Sequence, residues 1–227
     1  MNMRQHYCSS VGAAMKDIVI IGAGDFGREV AWLIEGINKV NASYKIIGFL
    51  DDDVKKIGQD FNGYKCLGPV DMLVKLRKER RLCAVIAMQD GSVRRHLVEE
   101  LSDFNDWETL IHPTANVSET SCIGKGSIIC AGCSISVNTH IGNHCVFNIS
   151  TIMGHDCEVS DYVSVMAGSC VCGHVVIGEE AYLATNCTVI PDRRIGRYAK
   201  VGAGSVVLRN VKDGVSVMGV PAKVYKF

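Results

Sequence analysis

The chain has 227 residues, 48% of them hydrophobic, with 24 basic and 24 acidic side chains and a formal net charge of zero. That length allows one large domain or two small ones, each able to bury a core. The balanced charge leaves no electrostatic footprint for nucleic acid, and no apolar run approaches the roughly 18–20 residues that cross a bilayer, so neither kind of partner is expected.

Residues 1–14 lack the apolar stretch of a secretory signal and are expected to form a disordered leader. Residues 15–108 then alternate between strand and helix. Segment 17–21 (DIVII) predicts a short buried strand, 28–36 a helix, 46–50 a second strand, 70–80 a helix, 83–87 a third strand and 92–101 a helix. Such alternation implies a parallel sheet covered by helices, here a small Rossmann-like α/β unit of about three to four strands. Between the first strand and its helix stands Gly22-Ala23-Gly24-Asp25-Phe26-Gly27, a G-x-G-x-x-G turn in the context that cradles phosphate. Asp51, followed by Asp52, ends the second strand, where a carboxylate can bond a ribose hydroxyl. Read alone, these features suggest a dinucleotide, but the unit is too small for two nucleotide halves. Arg94 offers either a phosphate contact or ordinary helix surface. Residues 103–108 are expected to join this unit rigidly to the next, since no Gly-, Ser- or Pro-rich spacer intervenes.

From Ile111 to Val207 every sixth residue is bulky and apolar, seventeen in succession. The position four places after each is nearly always small, as at Ser127, Cys133, Thr139, Cys145 and Cys157. A period of six fits neither the helical 3.6 nor strand alternation, and it marks the hexapeptide repeat of a β-helix over residues 109–227. Most of the eleven cysteines are then structural filler in small slots, and their spacing completes no four-ligand zinc pattern, so no metal is expected. Their number without a disulfide framework fits a reducing cytoplasm.

Five motifs in order, IIGAGDFGREV, GFLDDD, IHPTA, the Asn148…His155-Asp156 pair and VGAGSVV…VMGVPAKV, give residues 15–227 a resemblance. The chain resembles the sialic acid O-acetyltransferase-like family, which includes the N-acetyltransferases of nucleotide-linked 4-amino sugars in the bacillosamine and perosamine pathways. The resemblance implies a left-handed parallel β-helix with 18 residues per coil, acetyl-CoA as co-substrate, and a homotrimer with active sites at subunit boundaries. It also implies His155 as general base, Asp156 as its orienter and Asn148 as a companion. A neutral imidazole can take the proton of an attacking amine or hydroxyl while a carboxylate steadies the resulting cation. The glycine turn (Gly22, Gly24, Asp25, Gly27) with Asp51 and Asp52 would hold the nucleotide-linked sugar.

Counting by 18 places Gly173 one coil beyond His155, with its N–H available to a thioester carbonyl, and stacks Ala203 on Thr185 as a track for the pantetheine arm. Lys200, Arg209 and Lys223 are candidates for coenzyme A phosphates. The family often has a second histidine where this chain has Ser164, which is therefore a candidate substrate contact. Arg193 occupies a small slot and is expected to turn outward. The reading that results is acetyl transfer to the amine of a nucleotide-linked amino sugar. O-acetylation of a sialic acid-type sugar is the alternative, since a corner histidine serves either nucleophile. A metal-dependent hydratase of the γ-carbonic-anhydrase type would need another histidine spacing and would leave the glycine turn unexplained. A non-catalytic nucleotide-sugar sensor would leave His155 without a task.

Overall fold

A computed structural model describes residues 15–225, so the leader expected at 1–14 lies outside the described residues. The first unit contains β1 (Lys16–Ile21), α1 (Asp25–Val40), β2 (Tyr44–Leu50), β3 (Asp60–Phe61), β4 (Tyr64–Gly68), α2 (Met72–Glu79), β5 (Leu82–Ile86) and α3 (Gly91–Glu100). Its sheet runs in the order β3-β4-β2-β1-β5, parallel except for the β3–β4 hairpin. That hairpin was not anticipated, although Asn62-Gly63 signals it. Both residues have positive φ, +57° and +92°, as a two-residue primed turn requires. Segment 103–108 is more than a linker, because Glu108 N–H bonds to Ala84 O and Ala84 N–H to Asp106 O, extending the sheet beside β5.

The fold class read from the sequence is the one the chain adopts, an α/β unit followed by a left-handed parallel β-helix. The repeats form two-residue strands in three stacks of six, five and eight, parallel throughout except that the eight-stranded one ends in an antiparallel pairing of Ser216–Met218 with Lys223–Val224. The residue pairs are 18 apart, as in Ser134 with Ile152 and Val146 with Ser164. The count fails only in the last coil, where Lys200 pairs with Ser216. Inward residues such as Phe147, Val165, Val171, Ile177 and Leu183 are fully buried.

Corners turn by one left-handed residue every sixth position, from Asn138 and His144 through Asp156 and His174 to Tyr198, with glycine at Gly126, Gly132, Gly168 and Gly204. The small slot has a polar task as well. Ser127, Thr139 and Ser169 each donate to the carbonyl fifteen residues on, and Cys133, Cys145 and Cys157 direct their thiols to the same acceptor at 3.1–3.2 Å. The cysteines are therefore weak donors tying one coil to the next, beyond the apolar filler expected.

The α/β unit covers the eight-stranded face. Leu110, Ile128 and Val146 point outward from that face yet are fully buried, in one continuous core with Val30, Ala31, Leu33 and Ile34 of α1. Each such side chain contributes about 1.5–3 kcal/mol by leaving water.

Arg94 of α3 fixes the junction. It is fully buried, and its guanidinium donates to the carbonyls of Met88, His144 and Tyr162 at 2.7 Å, to Val163 O at 3.2 Å and to Ser164 Oγ at 2.9 Å. Burial lowers its pKa to about 10. It is neither surface nor a phosphate ligand.

Candidate functional site

Each corner of the β-helix separates two faces, and this determines which candidates can meet. His155 follows Ile152–Met153 of the six-stranded face and precedes Glu158–Val159 of the five-stranded one. Its neighbour Asp156 has φ +54°, and this left-handed step brings two consecutive side chains to the same side of the chain. The two bond directly, His155 Nδ1 to Asp156 Oδ2 at 2.8 Å. An ionised carboxylate can only accept, so Nδ1 carries the proton and Nε2 keeps its lone pair. Asp156 also accepts from Asn138 Nδ2 at 3.1 Å, and the bonds from His155 and then Asn138 hold its carboxyl below the usual range.

Gly173 stacks on His155 as the 18-residue count requires. A Cβ there would stand 2.6 Å from both Nε2 and Cε1 of the imidazole. The Gly173 N–H makes no hydrogen bond to any described residue. Sequence reasoning missed His174, although adding 18 to Asp156 reaches it. Its ring lies edge-on to His155 with centroids 5.0 Å apart, and ligand atoms of His155, Asp156 and His174 all fall within 4.8 Å of one another.

Asn148, Thr185 and Ala203 occupy a different corner, between the eight- and six-stranded faces. A single chain therefore does not bring Asn148 to His155, nor Gly173 to the Thr185–Ala203 track; both expectations need correction on this point. The reason is register, since Asn148 and His155 differ by more than one hexapeptide. Asn148 is nearly buried and accepts from the Ile149 N–H through its own side chain. Lys200 lies on the eight-stranded face, in a cleft of about 160 Å³ with Tyr182, Ser216, Met218 and Tyr225. Lys223 belongs to a terminal hairpin with Ser216–Met218, and Arg209 is exposed beyond the last regular coil. The expected coenzyme contacts are thus dispersed over one chain.

Ser164 is a second correction. It is 1% exposed, accepts from Arg94 and donates to Gln89 O at 2.6 Å, so its hydroxyl is consumed at the domain junction. Arg193 folds back, its Nε donating to Pro191 O at 3.0 Å.

In the α/β unit the glycine turn ends β1 at the point where strand order reverses between β1 and β5, the usual position of a ligand crevice. A Cβ on Gly27 would lie 2.0 Å from Gly22 O, so only glycine lets α1 start this close to the strand. Around Gly24 a Cβ would meet nothing within 4 Å, and no side chain caps α1 there, which leaves the helix N-terminus open to an anion. Asp25, exposed, pairs with Arg28. Asp51 is less available than expected. Its buried carboxylate accepts from Ala23 N–H and Lys56 Nζ at 2.8 Å and from Asp53 N–H at 3.0 Å. Burial alone would raise its pKa, but Lys56 and the two N–H groups outweigh burial and lower it. Asp52 accepts from the Val70 N–H at 2.9 Å. Both carboxylates therefore shape the turn from within, a role the sequence reading did not give them.

Comparison with known proteins places this geometry among relatives. The PglD N-terminal domain profile matches residues 17–101, and the bacterial transferase hexapeptide (six repeats) profile matches residues 174–209. GDP-perosamine N-acetyltransferase of Escherichia coli O157:H7 is 32% identical over 214 residues, covering 91% of this chain and 95% of that protein. Among solved structures, PerB from Caulobacter crescentus in complex with CoA and GDP-perosamine aligns with a TM-score of 0.85 at 29% identity, covering 94% of this chain and 99% of that one. The acetyltransferase domain of PglB from Neisseria gonorrhoeae in complex with acetyl coenzyme A aligns equally well, at 27% identity over 93% of this chain and all of that one.

Proposed function

The chain belongs to the family of nucleotide-sugar N-acetyltransferases that contains the perosamine enzymes, and from that premise we propose that it moves an acetyl group from acetyl-CoA to the amine of a nucleotide-linked amino sugar. The observation that carries the reading is the stacked pair of His155, oriented by Asp156, and Gly173. In this mechanism the amine attacks the thioester carbonyl and gives its proton to His155 Nε2. The Gly173 N–H donates a hydrogen bond to the developing oxyanion. The carbon–sulfur bond then breaks, and the departing thiolate takes the proton back from the imidazolium. No acyl-enzyme forms. The names of the relatives favour an amine over the hydroxyl of the O-acetyl alternative.

The assembly in this proposal is a homotrimer built on the six-stranded face. The eight-stranded face is largely covered by the α/β unit, and the five-stranded face carries charged and polar side chains, His140, Glu158 and Arg194, beside Cys122 and Val176. The six-stranded face instead has no charged outward residue, presenting Asn116, Ser134, Ile152, Cys170, Thr188 and Val206. It is also flanked by the two corners that a single chain keeps apart. With that face on a three-fold axis, His155 and Gly173 of one subunit meet the Asn148, Thr185 and Ala203 corner of the next. The cytoplasm is the proposed location, supplying acetyl-CoA; no helix among the described residues is long and apolar enough to cross a membrane. Coenzyme A release measured with nucleotide-linked amino sugars tests the activity.

A further inference from the structure

The two-imidazole, one-carboxylate cluster at the His155 corner has a second chemistry available. We propose that His155, Asp156 and His174 bind a borderline divalent cation of the zinc class, and that the ion blocks proton transfer at His155. No cysteine or histidine spacing in the sequence announces the site, because coil stacking creates it. Asp156 and His174 are 18 residues apart in one corner column, and both have left-handed φ, +54° and +58°, which turns their side chains out of the prism. Gly173 between them adds no Cβ to obstruct the His155 ring.

Nitrogen, nitrogen and carboxylate oxygen form a donor set that zinc accepts. Tetrahedral ligands at about 2.0–2.1 Å from zinc stand roughly 3.3 Å apart. The three ligand atoms here lie within 4.8 Å of one another on exposed side chains, and they converge on one ion when the His155–Asp156 hydrogen bond gives way to it. The carboxylate is already oriented from behind by Asn138 Nδ2, as ligating carboxylates usually are. A neutral imidazole has one lone pair, so a bound ion leaves His155 none with which to take a proton. Elsewhere on the β-helix, His140 and Glu158 pair at 2.8 Å but bring only two ligands, which makes them an internal control.

Ion binding does not depend on the acetyl-transfer reading and is measured without substrates. Zinc is titrated calorimetrically into the full chain carrying Cys122→Ser, which removes an exposed thiol. One saturable ion per chain is expected, unchanged by His140→Ala. His174→Asn, a residue that tolerates the left-handed backbone, and Asp156→Asn should each weaken it at least about tenfold. Absence of a saturable ion, or equal affinity in His174→Asn, overturns the site. If the ion binds but transfer persists at saturating zinc, the blocking role is overturned while the site stands.

Discussion

The ring of His155 occupies the space that a side chain on Gly173 would need, with Nε2 2.6 Å from the ideal Cβ position one coil away. Gly173 lies outside the left-handed region, so glycine is required there for room rather than for backbone freedom. Gly173→Ala should therefore fold normally and displace the imidazole. A displacement of about 1 Å at a reacting group can cost up to 10²-fold. We expect kcat to fall about 10–100-fold with the melting temperature nearly unchanged; unaltered kcat in a folded variant would separate Gly173 from the chemistry.

Ser164 and Arg94 are expected to affect stability rather than turnover. Ser164→Ala leaves Gln89 O without its donor and should cost about 1–3 kcal/mol, or roughly 2–12 °C in melting temperature. Its kcat and KM should stay within about threefold of the parent, as expected for a hydroxyl that touches no substrate. Arg94→Met removes donors from four carbonyls and Ser164 at once and should cost more, about 3 kcal/mol or above. A large rise in the sugar KM for Ser164→Ala would restore its role as a substrate contact.

Much of the β-helix was legible because its period is local: apolar every sixth residue, glycine or a left-handed residue at each corner. Counting by 18 correctly stacked Gly173 on His155, and the same count would have found His174 above Asp156. The relation of the α/β unit to the β-helix was not legible. Arg94 meets Ser164 across 70 positions of sequence, and a surface-looking helical arginine gives no sign of burial. Asp51 and Asp52 matched a ligand motif, yet their bonds to Ala23, Lys56 and Val70 depend on loops whose paths no periodicity encodes.

His144 should give the fold a measurable acid sensitivity. It is 1% exposed, stacks on Tyr162 at 5.6 Å and meets Trp107 edge-on at 5.2 Å, and neither ring nitrogen has a hydrogen-bond partner among the described residues. Burial, then the charge of Arg94, lowers its pKa from 6.5 to about 4. Between those values the unfolded chain takes up a proton that the folded chain refuses. Stability from this residue is thus full above about pH 6.5, falls as pH drops toward 4, and falls no further below it. The loss amounts to about 3 kcal/mol. Urea unfolding from pH 7 to 4 should show a shallower decline in His144→Asn than in the parent; equal slopes would contradict the assignment.

The proposed trimer predicts a solution mass near 74 kDa, three times 24.6 kDa, by light scattering. Ile152 is 49% exposed at the centre of the six-stranded face. Ile152→Asp places a charge where partners would bury it and should yield smaller species with at least about tenfold less activity. A monomeric but fully active parent protein would refute the shared site.

The most direct measurement is coenzyme A release from acetyl-CoA by the parent and by His155→Ala, each supplied in turn with GDP-, UDP- and dTDP-linked 4-amino sugars. The account predicts turnover of at least one amino sugar, with kcat lowered about 10²–10⁴-fold in the variant. With a sialic acid, which offers hydroxyl groups but no free amine, run beside them, turnover confined to that sugar, or near-parental rates from His155→Ala, would contradict it.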